Sequence, residues 1–404
     1  MPAVIKLSLT FLLILVLLRK KLGIGYVMMA GSAALILLFR MDVPHILSTM
    51  RNAAVNPVTI ELLLALSLIR MFEIILREKD VLSTMMTAVK GFFRSRRAVI
   101  VSMPMLIGML PSLGGAYFSA PMVKEATSGL KMSPEEKAFV NYWFRHPWEY
   151  ILPLYPGILL AAAVTHIPLY SLITANATYS LALLVMGFLI SMRGIGRRAV
   201  SSRTAAGGPA KRSGYSKWLS FLPVFSVLFL VVAVHIELQY ALLLIVAALL
   251  LIYRYPLKEV WRITKYGFAR DVILLIFGVM FFKQAMESSG AVTQLSSFLV
   301  KEGIPVLPII CLLPFVTGLL TGLTVGFVGS TFPLLISISG GAPLASMSLA
   351  FAAGFIGVLF SPLHLCLVLT REYFNADLWG VYRKIIPAGA FIFIAAFIEY
   401  MVMH

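Results

Sequence analysis

Two short runs hold the residues of this chain best suited to chemistry: His146-Pro147-Trp148-Glu149 and Ser361-Pro362-Leu363-His364. Each lies inside an apolar stretch, 138–165 and 344–370. Proline removes a backbone donor and disfavours helix at the residue before it, so each run is expected to break its helix and expose carbonyls. Ionisable groups in an apolar medium are costly and usually functional. Histidine also titrates near neutral pH. His146, Glu149, Ser361 and His364 are therefore the expected coupling-ion or proton residues. The plainer readings are a neutral histidine bonded to a carbonyl, and an ion pair between Glu149 and Arg145 four residues earlier.

Two Gly/Pro-rich segments, 103–122 and 313–334, are apolar enough to enter a bilayer but poorly suited to one straight helix. Pro111 would cost the first segment backbone bonds, and Gly114-Gly115 would weaken helix further. Pro111-Ser112-Leu113-Gly114-Gly115 instead reads as a turn between two short helices. The second segment offers Thr321-Gly322-Leu323-Thr324-Val325-Gly326 and then Gly329-Ser330-Thr331. Non-helical backbone survives in lipid only where protein buries it or where it lines a wet cavity. Free amides, carbonyls, hydroxyls and helix N-termini at such tips can hold a small anion or cation. The expected substrate-binding residues are Pro111, Ser112, Gly114, Gly115, Thr321, Gly322, Thr324, Gly326, Ser330 and Thr331. A kinked helix packed through its glycines is the structural alternative.

The elements around these runs are membrane helices. Of 404 residues, 60% are hydrophobic and 13% charged, with a mean hydropathy of +0.93. A soluble domain is nearer half apolar and a quarter charged. This excludes a soluble enzyme, a disordered chain and a disulfide-stapled domain. Spanning segments are expected near 3–18, 22–39, 57–76, 138–165, 168–192, 218–235, 238–253, 271–287, 344–370 and 385–403. The net charge is +17, and most of the Lys and Arg cluster at 19–21, 77–97, 124–137, 193–217, 254–270 and 371–384. One topology puts all these clusters on a single side, as the positive-inside rule requires, with both termini external. A nucleic-acid partner does not fit that distribution, whereas membrane lipid does. Residues 193–217, basic and rich in Gly, Ser and Ala, read as a cytoplasmic linker. Arg70 with Glu73, and Lys283 with Glu287, read as structural ion pairs. Cys311 and Cys366 read as small buried residues.

The two halves also resemble each other. LLFRMDVPHILSTMRNA at 37–53 parallels LIYRYPLKEVWRITKYGF at 251–268. Pro104, Gly108, Leu110 and Leu113 align with Pro314, Gly318, Leu320 and Leu323, and Pro121 aligns with Pro333 after two extra residues. His146-Pro147 falls on Ser361-Pro362. Each half then has five spans and one Gly/Pro segment, and the odd number inverts the second half. The expected fold is an all-α polytopic membrane protein of two inverted repeats, each with a re-entrant helical hairpin and a broken helix. Such repeats mark secondary transporters.

NYWFRHPWEYILPLYPGI and SPLHLCLVLTREYF resemble the domain-of-unknown-function 401 family of prokaryotic membrane proteins. That family is similar to the ion-transporter superfamily of divalent-anion/sodium symporters and citrate, gluconate and arsenite carriers. The resemblance implies hairpins at 98–122 and 304–334. It implies a scaffold of 1–95 and 218–302, and a transport domain of 96–192 and 303–404. A homodimer in the prokaryotic plasma membrane, working by elevator-type alternating access, is implied as well. The symporters carry Ser-Asn-Thr at each tip; this chain has no tip asparagine. The expected function is ion-coupled transport of a small, anionic organic solute, with sodium or a proton as coupling ion and no cofactor. A cation/proton antiporter is the main alternative, and a channel a further one. Gly-x-Ser-x-Gly, His-Glu-x-x-His and P-loop motifs are missing from the sequence, so an enzyme is not expected, although His146 and Glu149 have the types of an acid/base pair.

Overall fold

A computed structural model describes residues 3–20, 22–81, 84, 85, 88, 95–109, 115–191, 218–291, 294, 298, 302, 303 and 305–403. The expected linker 193–217 and the tip residues Pro111, Ser112 and Gly114 lie outside the described residues. Among those described, the chain is helical throughout, with no strand.

The first half runs α1 (Ala3–Arg19), α2 (Ile24–Phe39), α3 (Val43–Val55), α4 (Pro57–Glu78), α5 (Arg96–Gly108), α6 (Gly115–Ala126), α7 (Pro134–Trp143), α8 (Pro156–Thr165) and α9 (Leu169–Ser191). The second half runs α10 (Leu222–Leu228), α11 (Leu238–Ile252), α12 (Leu257–Gly267), α13 (Arg270–Ser288), α14 (Val306–Thr321), α15 (Thr324–Ile338), α16 (Leu344–Phe360), α17 (Leu365–Phe374) and α18 (Leu378–Met403). A single 3-10 turn, Pro147–Tyr150, stands between α7 and α8. A π-helical turn, Phe229–Ala233, prolongs α10.

Local sequence accounts for the ends that matter. Ser133 opens α7 with a capping box: its hydroxyl accepts from Glu136 N, and the Glu136 carboxylate accepts from Ser133 N. Asn56 caps α4, accepting from Val58 N, with Pro57 as the first helical residue. The expected break at His146-Pro147 separates α7 from α8, and the break at Ser361-Pro362 separates α16 from α17.

The outside of the bundle is apolar. Leu251 is 78% exposed, Leu257 87% and Val402 82%, a surface that water does not favour and lipid does. Leu169–Ser191, the interrupted stretch Leu344–Phe374 and Leu378–Met403 are long and apolar enough to cross a bilayer. Several other expected spans are shorter helices, α1, α2 and α11 among them. The helices are those of a membrane protein.

Packing between the halves is reciprocal. Helix α2 lies on α13, and α11 lies on α4; α3 lies on α13, and α12 on α4. Likewise α8 contacts α15 while α17 contacts α6, and α9 contacts α16 while α18 contacts α7. Glycine permits close approach both between and within the halves. A Cβ on Gly278 of α13 would meet the Gly25 carbonyl of α2, and one on Gly318 of α14 would meet the Gly354 carbonyl of α16.

The charges pair differently from expectation. Arg70 reaches across to Asp271 at 2.7 Å, while Glu73 pairs with Arg77. Arg70 takes its long-range partner because α4 and α13 are adjacent in the bundle. Buried Lys283 donates to the Val164 carbonyl at 3.0 Å and to His166 Nε2 at 2.9 Å, tying α13 to the end of α8.

The Gly318–Gly354 contact yields a first prediction. Gly318→Val should force α14 off α16, and overpacking of this kind costs about 1–3 kcal/mol. The apparent melting temperature in detergent should drop measurably, whereas Leu257→Ala on the outer surface should leave it nearly unchanged.

Candidate functional site

The break between α7 and α8 sets the site. Helix α7 ends at Trp143, so its last carbonyls lose their regular amide partners. The His146 amide bonds Trp143 O at 3.2 Å, and Tyr142 O, reached by Arg145 N only at 3.4 Å, has a place for a further donor. His146 Nδ1 takes that place, at 2.6 Å. Side chains also tie the break to α9 and α5. Ser180 Oγ donates to Pro147 O at 2.9 Å and Trp148 Nε1 to Met105 O at 2.7 Å. The Tyr155 hydroxyl donates to Gly108 O.

The second half supplies the matching piece. Helix α14 stops at Gly322, whose φ of 65° is a left-handed cap suited to glycine. A Cβ there would lie 2.9 Å from His364 N. The Gly322 carbonyl accepts from His364 Nδ1 at 2.9 Å. Ser361, wholly buried, accepts from Leu363 N and shapes the turn that presents His364.

These two anchors bring the rings together. His146 is 1% exposed and His364 7%, and their Nε2 atoms lie 3.1 Å apart. Tyr142 and Phe355 wall the pair with their rings. A carbonyl oxygen can only accept, so each Nδ1 must carry a hydrogen. In the neutral imidazole the other nitrogen is then a bare lone pair. Two bare lone pairs at this distance repel, and an electron-pair acceptor between them, a proton or another cation, relieves the repulsion. The Glu149 carboxylate, 3.8 Å from His146 Nε2, supplies negative charge beside them. Its other oxygen accepts from Thr324 Oγ1 at 2.8 Å, linking the break to the first residue of α15.

Cys366 completes the cluster: its sulfur and the two histidine ligand atoms lie within 4.8 Å of one another. Sequence reasoning treated this cysteine as packing. The signal available was His364-Leu365-Cys366, two donor-bearing residues straddling one position just after a proline break.

The other expected residues divide. Of the first tip, Gly115 begins α6, and Pro111, Ser112 and Gly114 are not among the described residues. Thr321 Oγ1 turns back on its own turn, bonding Leu323 N and O at 3.3 Å. Gly326 packs closely on Thr321. Ser330 and Thr331 are fully buried, with hydroxyls donating one turn back to Gly326 O and Phe327 O. Thr324 is the tip hydroxyl that engages the histidine cluster, through Glu149. Glu149 therefore bonds Thr324 across the two halves, and Arg145 four residues before it is buried with a partner. A separate cleft of about 380 Å³ is bounded by α4, α8 and α11 and lined by Glu61, His166 and Glu237. None of the histidine-cluster residues lines it.

A family model described as "Protein of unknown function (DUF401)" matches residues 3–403, essentially the whole chain, and the chain belongs to that family. No curated protein matches it.

The tautomer assignment is open to direct measurement. In 15N spectra of histidine-labelled protein, His146 and His364 should both show a protonated Nδ1. Detection of either ring as neutral imidazole with a bare Nδ1 would contradict the two carbonyl bonds. Gly322→Ala, which strains the αL cap by about 1–2 kcal/mol, should move the His364 resonances and leave those of His235 in place.

Proposed function

We propose that this DUF401 protein is an ion-coupled secondary transporter of a small organic anion, working by alternating access. The observation that carries the reading is reciprocal packing of the two halves around a buried cluster to which both contribute. His146 and Glu149 come from the broken helix of the first half, and His364 and Gly322 from the second. In this reading the halves are inverted repeats in the bilayer. Segments 98–122 and 304–334 are re-entrant hairpins, and their tips with the two breaks make one central site. The scaffold is 1–95 with 218–302, the moving domain 96–192 with 303–404, and the protein a homodimer. A coupling cation sits where electron-pair donors converge. The anion sits at the helix N-termini and amides of the tips, where partial positive charge gathers.

A specific observation favours a second reading, a cation/proton antiporter on the same fold. Every side chain in the cluster offers a lone pair: two imidazoles, a carboxylate and a thiol. That donor set suits a cation as cargo as well as a cation as coupling ion.

Flux into proteoliposomes separates these. A symporter should accumulate a labelled carboxylate saturably when a sodium or proton gradient is imposed. The antiporter should exchange cations with no carboxylate present. Thr324→Val removes a hydrogen bond to a charged group, and a loss of about 1.4 kcal/mol corresponds to a tenfold fall in uptake or exchange. If no solute and no cation moves under either gradient, the transport reading fails.

A further inference from the structure

We infer that His146, His364 and Cys366, with Glu149 beside them, form a binding site for a divalent d-block cation of the zinc class. The argument starts from donor chemistry. Two imidazole nitrogens and a thiolate are ligands of borderline softness. They select zinc-like ions over the hard ions calcium and magnesium, and over sodium, all of which take oxygen.

Geometry agrees. Tetrahedral coordination at the usual zinc–nitrogen length places two ligand nitrogens about 3.3 Å apart. The His146 and His364 Nε2 atoms lie at 3.1 Å. A nitrogen and a sulfur on the same ion would be about 3.6 Å apart, and the Cys366 sulfur falls inside the same 4.8 Å group. Glu149 Oε1, 3.8 Å from His146 Nε2, is placed to serve as the fourth donor after a small movement.

The outer shell is also that of a metal site. Metal-binding histidines almost always give their second ring N–H to a carbonyl or carboxylate, which fixes tautomer and orientation. Here the Nδ1 atoms bond Tyr142 O at 2.6 Å and Gly322 O at 2.9 Å, and the two free nitrogens lie 3.1 Å apart. Thr324 holds the Glu149 carboxylate in turn. A neutral histidine pair kept only for packing would place a donor against an acceptor; this one places two acceptors face to face.

Charge and proton balance close. The ion brings two positive charges; Cys366 binds as thiolate and releases its thiol proton to solvent, and Glu149 contributes a second negative charge. Two ligands come from each half, counting Glu149, so the ion would clamp the two helix breaks together.

Protein solubilised in detergent and stripped with a chelator tests the site, using Co2+ as probe and Zn2+ as competitor. One Co2+ per chain should bind, with a thiolate-to-cobalt charge-transfer band in the near ultraviolet and the intense visible bands of tetrahedral cobalt. Zn2+ should displace both. Cys366→Ser should abolish the charge-transfer band, and His364→Ala should weaken binding at least tenfold to a hundredfold, as metal sites respond even to outer-shell changes. His45→Ala, at an exposed histidine elsewhere, should change neither. Size-exclusion profiles matching the unaltered protein establish that the variants are folded. Absence of saturable Co2+ binding, or binding unchanged in Cys366→Ser combined with His364→Ala, overturns the inference. The readout involves no flux, so a metal site without transport and transport without a metal site are distinct results.

Discussion

An apolar helix can be interrupted inside a protein only where other groups take over the hydrogen bonds its backbone gives up. The stretch between α7 and α8 meets that condition with short-range backbone bonds, among them Glu149 N to His146 O and Leu152 N to Trp148 O, and with side chains. Ser180 and His146 each supply a donor to a carbonyl of the break, and Trp148 and Tyr155 reach from it to carbonyls of α5. Three of those donors are aromatic or imidazole rings, so satisfying the backbone also fills space. The result is an irregular segment bonded along its length, and the bond to Tyr142 O sets the direction of His146.

That direction has an electrostatic consequence. Imidazole has two nitrogens, and committing one to a carbonyl decides the state of the other. Tyr142 O and Gly322 O make the same decision for two rings from opposite halves of the chain. Their remaining lone pairs converge in surroundings of low polarity, where repulsion is poorly screened. The site is thus defined less by which residues are present than by which of their atoms are already occupied.

Much of this was legible in the sequence, for identifiable reasons. Proline forced both breaks, and composition and charge placement forced helices in a membrane. Alignment of Pro104 with Pro314 and Gly108 with Gly318 anticipated matching helices, α5 and α14, each with an internal proline. Contacts between residues far apart in the chain were not legible. Arg70 found Asp271 because α4 meets α13, not because of any helical spacing. Glu149 found Thr324, 175 residues along the chain, for the same kind of reason. Ser330 and Thr331 looked like free hydroxyls, but a hydroxyl in a buried helix commonly bonds its own backbone, and both do. Cys366 gave no sign of its neighbours, because one apolar thiol reads as packing until the histidine pair is known to lie beside it.

Lys283 gauges how wet the interior must be for its helices to move. Its ammonium holds the Val164 carbonyl and His166 together at the end of α8. Slippage of α8 along α13 by one helical turn, about 5.4 Å, would strip away both acceptors. An unpaired buried charge costs several kcal/mol, so dry slippage is forbidden. Movement becomes affordable once water enters, or once a carboxylate takes the ammonium. Glu61 and Glu237 line the cleft that His166 also lines. Hydration of that cleft would therefore act as the lubricant for any relative motion of these helices.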